Sequence, residues 1–223
     1  MTHNHYLTLA AIALLSVASV SCSKDDDDNN NNNSSSSEAS VAYDSHAVDL
    51  GLPSGLKWSD QNLGANSPED YGDYFAWGSL NPLSSFASDA YNAAVDVENI
   101  PANFSGDIKF DAATYHLGGK WRTPTYGEIS ELRSNTTQEW TTQNGVKGLK
   151  LTAKNGNSIF IPAAGFYSGD TRSKETFSGY LWSSSTDPGY TGVGISGVIN
   201  AGGVGGGGAY GYLGYSIRPV RDK

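Results

Sequence analysis

Residues 187–213 are built from a restricted set of amino acids. The segment contains no Glu, Lys, Gln, Met, Trp, Arg, His, Phe or Cys, and it is rich in Gly, Tyr, Val and Ile. It lies between two ordinary strand-like sequences, GYLWSSS at 179–185 and GYSIRPVR at 214–221. Fixed strands on both sides of a loosely constrained middle indicate a rigid frame that presents a changeable surface. This pattern favours a binding protein over an enzyme.

The amino-terminal sequence predicts export. The apolar run YLTLAAIALLSVASVS at 6–21 is short for a membrane span and is typical of a secretory signal. Cys22, the only cysteine in the chain, follows it, and this arrangement resembles the lipobox of bacterial lipoproteins, in which that thiol receives the lipid. The resemblance implies a signal peptide over 1–21 and lipidation of Cys22. The alternative is an ordinary cleaved signal followed by an incidental cysteine.

A polar tether is expected over residues 22–40. The sequence SKDDDD at 23–28 resembles the surface-export signal of Bacteroidota lipoproteins, and it also fits a solvated acidic tether. The following NNNNNSSSS at 29–37 has low complexity and nothing to bury, so we expect it to be disordered. Together these features predict a domain that is lipid-anchored to the outer membrane and displayed at the cell surface.

The remainder, 41–223, is predicted to be one domain, because its roughly 180 residues can bury a sizeable core. The tether holds −4 of the net charge of −9, through Lys24, four Asp and Glu38, and leaves −5 on the domain. A mildly acidic domain without a basic cluster argues against nucleic acid and anionic lipid as ligands.

Local patterns predict two elements with particular clarity. Asn155-Gly156 stands between the alternating runs at 149–152 and 158–161 and predicts a β-hairpin. Thr125 and Glu128 have the spacing of a capping box and predict a helix that begins at Thr125, with Ile129 and Leu132 facing inward.

Seven separated motifs carry a family resemblance. In chain order they are VDLGLPSGLKW (48–58), NLGA (62–65), YGDYFAWG (71–78), GGKWRTPT (118–125), IPAAG (161–165), LWSSS (181–185) and GYSIRPVR (214–221). In this order they resemble the Fibrobacter succinogenes major paralogous domain, which is similar to formylglycine-generating enzyme domains, a branch of the C-type lectin fold. The resemblance implies an α+β domain with a small twisted antiparallel sheet, two helices and long loops.

Two arginines within these motifs are expected to hold the loops together. Arg122 and Arg218 are the natural partners of carboxylates such as Asp73 or Glu128, or of loop carbonyls. We expect both to be structural clamps rather than ligand contacts.

The sequence gives little support to catalysis. The enzyme branch of this fold works through a pair of cysteines, whereas this chain has Cys22 alone. His46 and His116 are far apart, the Ser183–Ser185 run has no adjacent general base, and no alternating acidic loop for Ca²⁺ is present. We therefore expect no enzyme activity, no cofactor and no metal site.

The restricted segment is the expected ligand-binding surface. Some members of this fold resemble targets of diversity-generating retroelements, which randomise the adenines of AAC codons and so cannot produce Glu, Lys, Gln, Met or Trp. Residues 187–213 match that alphabet. The glycines at 202, 203 and 205–208 also fit a flexible loop between two strands, so both interpretations stay open.

Tyrosine offers a large amphipathic contact area at low entropic cost, which makes it the expected anchor residue. The predicted ligand-binding residues are Asp187, Tyr190, Val193, Ile195, Asn200, Val204, Tyr210 and Tyr212. Because strand faces alternate, about half of this set would be buried if the segment formed strands. The predicted ligand is an extracellular protein or glycan, and the alternative function is a structural cell-envelope paralogue without a soluble ligand.

Overall fold

The computed structural model describes residues 43–223, so the predicted signal peptide, Cys22 and the tether lie outside the described residues. Within this part of the chain the fold is α+β, with antiparallel strand pairs in small sheets and few helices. No helix in this part is long and apolar enough to cross a membrane.

Three α-helices and two short 3-10 helices occur among the described residues. The helices are α1 (Ser88–Ala94), α2 (Ala112–Leu117) and α3 (Tyr126–Asn135), with 3-10 turns at Asp44–His46 and Val97–Asn99. The family resemblance implied two helices, which is wrong because the described residues contain three α-helices. The helix α1 has no side-chain cap at its amino end, so it lacked the signal that identified α3.

Twelve strands form four sheets in residues 43–223, where a single sheet was expected. The strands are β1 (Ala47–Asp49), β2 (Lys57–Ser59), β3 (Trp121–Arg122), β4 (Thr136–Gln143), β5 (Val146–Ala153), β6 (Ser158–Pro162), β7 (Phe166–Ser168), β8 (Thr171–Ser173), β9 (Ser178–Thr186), β10 (Val193–Asn200), β11 (Gly203–Tyr210) and β12 (Val220–Arg221). The sheet orders are β1-β2-β12-β3, β11-β10-β9, β4-β5-β6 and β7-β8.

Both locally encoded elements are confirmed. The strands β5 and β6 pair around a turn in which Gly156 has φ 89°, a conformation that glycine adopts without strain. The Thr125 side chain accepts from the Glu128 backbone N–H and the Glu128 carboxylate accepts from the Thr125 N–H, which completes the capping box of α3. Ile129 and Leu132 are buried as expected.

Residues 214–221 tie the last part of the chain into the frame. Val220 of β12 pairs with Trp58 of β2 and with Arg122 of β3. Tyr215 exchanges backbone hydrogen bonds with Phe75 at 2.9 and 3.0 Å. These contacts fix the carboxyl-terminal end of the restricted segment to strands far from it in sequence.

The sheet β11-β10-β9 separates two parts of the core. On one face Leu181, Ile199 and Val204 pack into a cluster with Ile129 of α3. On the other face Trp182 belongs to a second, aromatic cluster. Both faces of β9 are therefore buried. Since β9 ends just before the restricted segment, the amino-terminal end of that segment is fixed to the core, as its carboxyl-terminal end is.

Candidate functional site

The restricted segment forms regular strands rather than a flexible glycine-rich loop. β10 and β11 pair over their whole length, from Val193 opposite Tyr210 to Asn200 opposite Gly203. The loop interpretation of the glycine run at 205–208 was therefore wrong. The glycines belong to β11, which lies at the edge of its sheet.

Two of the predicted anchors are strongly exposed. Tyr190 is 70% exposed and Tyr210 is 62% exposed. The ring of Tyr212 stacks on that of Tyr210, with centroids 5.4 Å apart and 9° between planes. Tyr212 also packs against a third core cluster, so its ring supports Tyr210 more than it offers free surface.

Val204 is corrected by the structure. Its side chain is 6% exposed and lies in the main core opposite Ile199, because this pair is on the inner face of the hairpin. It is therefore not available to a ligand.

The remaining predicted residues divide into two groups. Asp187 and Val193 line one concavity together with Tyr190 and Tyr210. Asn200 lies at the opposite end of β10, where its Oδ1 accepts from the Gly202 N–H at 2.8 Å. Ile195 is half-buried and pairs with Gly208, but it does not line the concavity.

This concavity measures about 430 Å³ and combines aromatic, aliphatic and acidic groups. Its lining residues are Asp187, Tyr190, Val193, Gly208, Ala209, Tyr210, Leu213 and Tyr215. A second concavity of about 460 Å³ shares Asp187 and Tyr190 and extends towards Trp77 and Val97. Tyr190 therefore borders both.

Asp187 is held by the loop between β9 and β10. Its backbone N–H donates to the Val193 carbonyl at 2.9 Å, and its Oδ1 accepts from the Gly189 N–H at 3.0 Å. Its Oδ2 faces β11, because a Cβ placed on Gly208 would lie 2.8 Å from that oxygen. The carboxylate is thus fixed through one oxygen and directs the other towards the edge strand.

The glycines of β11 differ in the space around them. A Cβ on Gly206 would lie 2.6 Å from the Ser196 carbonyl oxygen and 2.6 Å from the ring of Tyr126. A Cβ on Gly207 would meet nothing within 4 Å. Gly206 is therefore required by packing, whereas position 207 can accept a side chain.

Sequence reasoning missed the packing of Tyr126 against β11 and four residues that line the concavity, namely Gly208, Ala209, Leu213 and Tyr215. Tyr126 is the first residue of α3, and the sequence there was interpreted only as a helix cap. Gly208 belongs to the run that fitted a loop. No local sequence signal places Tyr126 against β11, because that contact depends on how the helix packs on the sheet.

The expected arginine clamps are confirmed in part. Arg122 donates to Glu128 at 2.6 and 2.9 Å and to Asp222 at 2.8 Å. Although burial favours the neutral form, the hydrogen bonds that Arg122 donates to these carboxylates raise its pKa above the usual range. Asp73 is not among the residues to which either arginine donates.

Arg218 is fully buried and donates to two strand carbonyls, that of Ser59 in β2 at 3.3 Å and that of Phe160 in β6 at 3.0 Å. Burial lowers the pKa of its guanidinium to about 10. It therefore joins two strands through backbone carbonyl oxygens, whereas carboxylates or loop carbonyls were expected as its partners.

The other groups considered for catalysis have structural contacts. Ser183 Oγ donates to the Ile195 carbonyl at 2.5 Å, and Ser184 Oγ donates to Asn103 at 2.7 Å. His46 Nδ1 lies 2.9 Å from Asp60 and His116 Nε2 lies 2.8 Å from the Leu80 carbonyl. Within residues 43–223 no group of three or more His, Cys, Asp or Glu could hold a metal ion.

In comparisons with known proteins, the chain matches no family model, no curated protein and no solved structure. The family resemblance of the seven motifs stays a prediction.

Proposed function

We propose that this chain is a lipoprotein, anchored to the outer membrane through Cys22, that binds an extracellular protein or glycan with a C-type-lectin-like domain. The observation that carries the proposal is the pair of exposed rings, Tyr190 and Tyr210, beside Asp187 at one concavity. The binding surface is formed by the β9–β10 loop and β11, and we call it the hairpin face.

Covering the two exposed tyrosines with a ligand would be favourable. Burying an aromatic side chain contributes a large apolar area, and Tyr residues supply many binding hot spots. The phenolic hydroxyl also allows Tyr to lie at a surface without forming a purely apolar patch. Two exposed rings next to a carboxylate therefore suit a ligand with both apolar and polar groups.

The frame supports precise presentation of the hairpin face. The segments on both sides of it are tied to distant backbone, through Trp182 N–H to the Ser216 carbonyl at 2.9 Å and through the Phe75–Tyr215 pair. A surface on fixed strands loses little conformational entropy on binding. Such a frame also tolerates exchange of outward-facing side chains, which supports the diversification hypothesis for 187–213.

The lectin-like assignment draws on the motifs and on the α+β architecture. The motif at 214–221 provides the closing strand β12, and the motifs at 48–58 and 118–125 provide its neighbours β2 and β3. Three of the seven motifs that suggested the family therefore meet in one sheet.

Replacing both Tyr190 and Tyr210 with Ala is expected to weaken ligand binding by about 30-fold or more, because a hot-spot residue contributes about 2 kcal/mol or more. The full-length chain, displayed on cells, is screened against a glycan array and a random peptide library, and the selected ligands are re-measured on the variant. Ligand binding should weaken while the melting temperature changes little, since both rings are exposed.

The matched control replaces Ile108 and Phe177, which are 61% and 71% exposed and lie outside the hairpin face. This double variant should bind like the parent chain. Equal loss of affinity in both double variants, or loss in the control alone, would contradict the proposed site. Failure of the parent chain to select any glycan or peptide would favour the structural envelope role.

A further inference from the structure

The outer side of β11 is an unpaired sheet edge. The sheet order is β11-β10-β9, and no strand of residues 43–223 pairs with the other side of β11. The Val204 N–H donates to the side chain of Gln138 at 2.8 Å, so this N–H points away from β10. The Gly211 N–H donates to the Gly192 carbonyl on the β10 side. Alternation along the strand then directs the N–H and C=O groups of Gly206 and Gly208 outward.

This edge lacks the usual protection against pairing. Sheet edges are commonly blocked by Lys, Pro, bulges or bulky side chains. Here residues 205–208 are all glycine, and Gly206, Gly207 and Gly208 are exposed. The pairing of β10 with β11 is continuous, without a bulge. The exposed backbone is therefore accessible to an extended chain, as in binding by strand addition.

The register determines where the side chains of an added strand would lie. Residues directly opposite each other in an antiparallel pair project from the same face. A side chain on Gly208 would start 2.8 Å from Asp187 Oδ2 and 3.3 Å from Val193. A residue paired with Gly208 therefore projects its side chain on the side of Asp187. One paired with Gly206 projects on the side of Tyr126.

The charge at this position selects the occupant. Asp187 Oδ2 lies in the concavity with the rings of Tyr190 and Tyr210, and a cation is attracted both to a carboxylate and to aromatic faces. Residues 43–223 carry 13 Lys and Arg against 18 Asp and Glu, a net charge of −5. An acidic peptide would be repelled at the same place.

We propose that β11 binds an extended peptide segment of a partner protein by adding it as a fourth strand, with a Lys or Arg of that segment opposite Gly208 and directed at Asp187. This inference rests on the proposed function, since it names the ligand class of the hairpin face. The backbone of Gly206 and Gly208 supplies the hydrogen bonds, and Asp187, Tyr190 and Tyr210 supply the preference for a cation.

The test uses a seven-residue probe in which Thr and Val alternate around a central Lys, so that Lys and both Val share one face. Binding to the full-length chain in detergent micelles is measured by fluorescence anisotropy. Amide exchange at Gly206 and Gly208 is followed by NMR with isotope-labelled glycine. We expect binding together with slower exchange at both glycines.

Three comparisons separate strand addition from simple charge attraction. Methylating the Lys and Val amides should weaken binding by about tenfold or more, whereas methylating the Thr amides, which face away from β11, should change it by less than about threefold. Changing the central Lys to Glu should weaken binding by about tenfold. Asp187→Asn keeps an acceptor for the Gly189 N–H. It should weaken binding of the Lys probe but not of the Glu probe.

Equal effects of the two methylation patterns, or unchanged exchange at Gly206 and Gly208, would overturn strand addition. If that occurs while the Tyr190 and Tyr210 double variant still loses its selected ligands, only the peptide inference fails. If the probe protects both glycines but the double variant keeps every selected ligand, the assignment of the tyrosines fails instead. Slow exchange at both glycines in a dimer without probe would show that a second copy occupies the edge.

Discussion

Replacing Asp111 with Ala is expected to lower the free energy of unfolding by about 3–5 kcal/mol, because several buried donors would lose their acceptor at once. Asp111 is fully buried and accepts from the Thr123 hydroxyl at 2.6 Å, the Thr123 N–H at 2.9 Å and the Gly106 N–H at 2.8 Å. It also caps α2 through the Ala113 N–H at 3.0 Å. Urea denaturation of the variant measures the loss.

The matched control is Asp107→Ala, in the turn just before α2. Asp107 accepts from the Lys109 N–H at 3.0 Å in an exposed setting, so its loss should cost less than about 1 kcal/mol. Asp111→Asn should be intermediate, because an amide can replace only one of the two acceptor oxygens. Similar unfolding free energies for Asp107→Ala and Asp111→Ala would show that the buried hydrogen bonds of Asp111 do not stabilise the fold.

The second large effect concerns the glycines of the hairpin. Gly194→Ala is expected to destabilise the domain by about 1–3 kcal/mol through overpacking. The added Cβ would lie 2.6 Å from the ring of Trp77, which is 2% exposed and fixed by a 2.9 Å hydrogen bond to the Ser183 carbonyl. Gly207→Ala meets open space and should stabilise by about 0.5 kcal/mol, since Ala restricts the unfolded chain.

Thermal unfolding of the two Ala variants beside the parent chain checks this contrast. A flexible loop would accept Ala equally at both positions, so equal melting temperatures would contradict the strand assignment of 193–210. Gly206→Ala provides a further comparison, because its Cβ would meet the backbone oxygen of Ser196 and should destabilise like Gly194→Ala.

The elements predicted correctly from sequence are those encoded by neighbouring residues. The Asn155-Gly156 turn and the Thr125–Glu128 capping box each need only a few consecutive positions, and both are present. The Arg122–Glu128 pair was also anticipated, because Arg122 in β3 is only six residues before Glu128 in the first turn of α3. These features depend little on the rest of the fold.

The glycine strand could not be predicted in the same way. Glycine disfavours strands because it has no side chain to pack and loses more backbone entropy than other residues. In this fold the close approach of Tyr126 to Gly206 and of Trp77 to Gly194 leaves room for glycine alone. The requirement therefore comes from residues far away in sequence, which local patterns do not reveal.

The candidate site was predicted in composition but not in arrangement. Tyr190, Tyr210 and Asp187 do meet at one concavity, as their amino acid types suggested. Val204 was wrongly predicted to contact the ligand. The alternation of side chains along a strand defines two faces but does not show which face is buried. The buried contacts of Asp111 with Gly106 and Thr123 were not predicted, since they form only in the folded chain.

The central claim is that a fixed frame carries a changeable recognition surface on 187–213. Sequencing the last part of this gene across many isolates tests it most directly. We expect substitutions to concentrate at Tyr190, Gly207 and Tyr210, well above the level at the equally exposed Ile108 and Phe177, while Gly194 and Gly206 stay constant. Variation at the hairpin face no greater than at Ile108 and Phe177, or frequent substitution of Gly194 and Gly206, would contradict it.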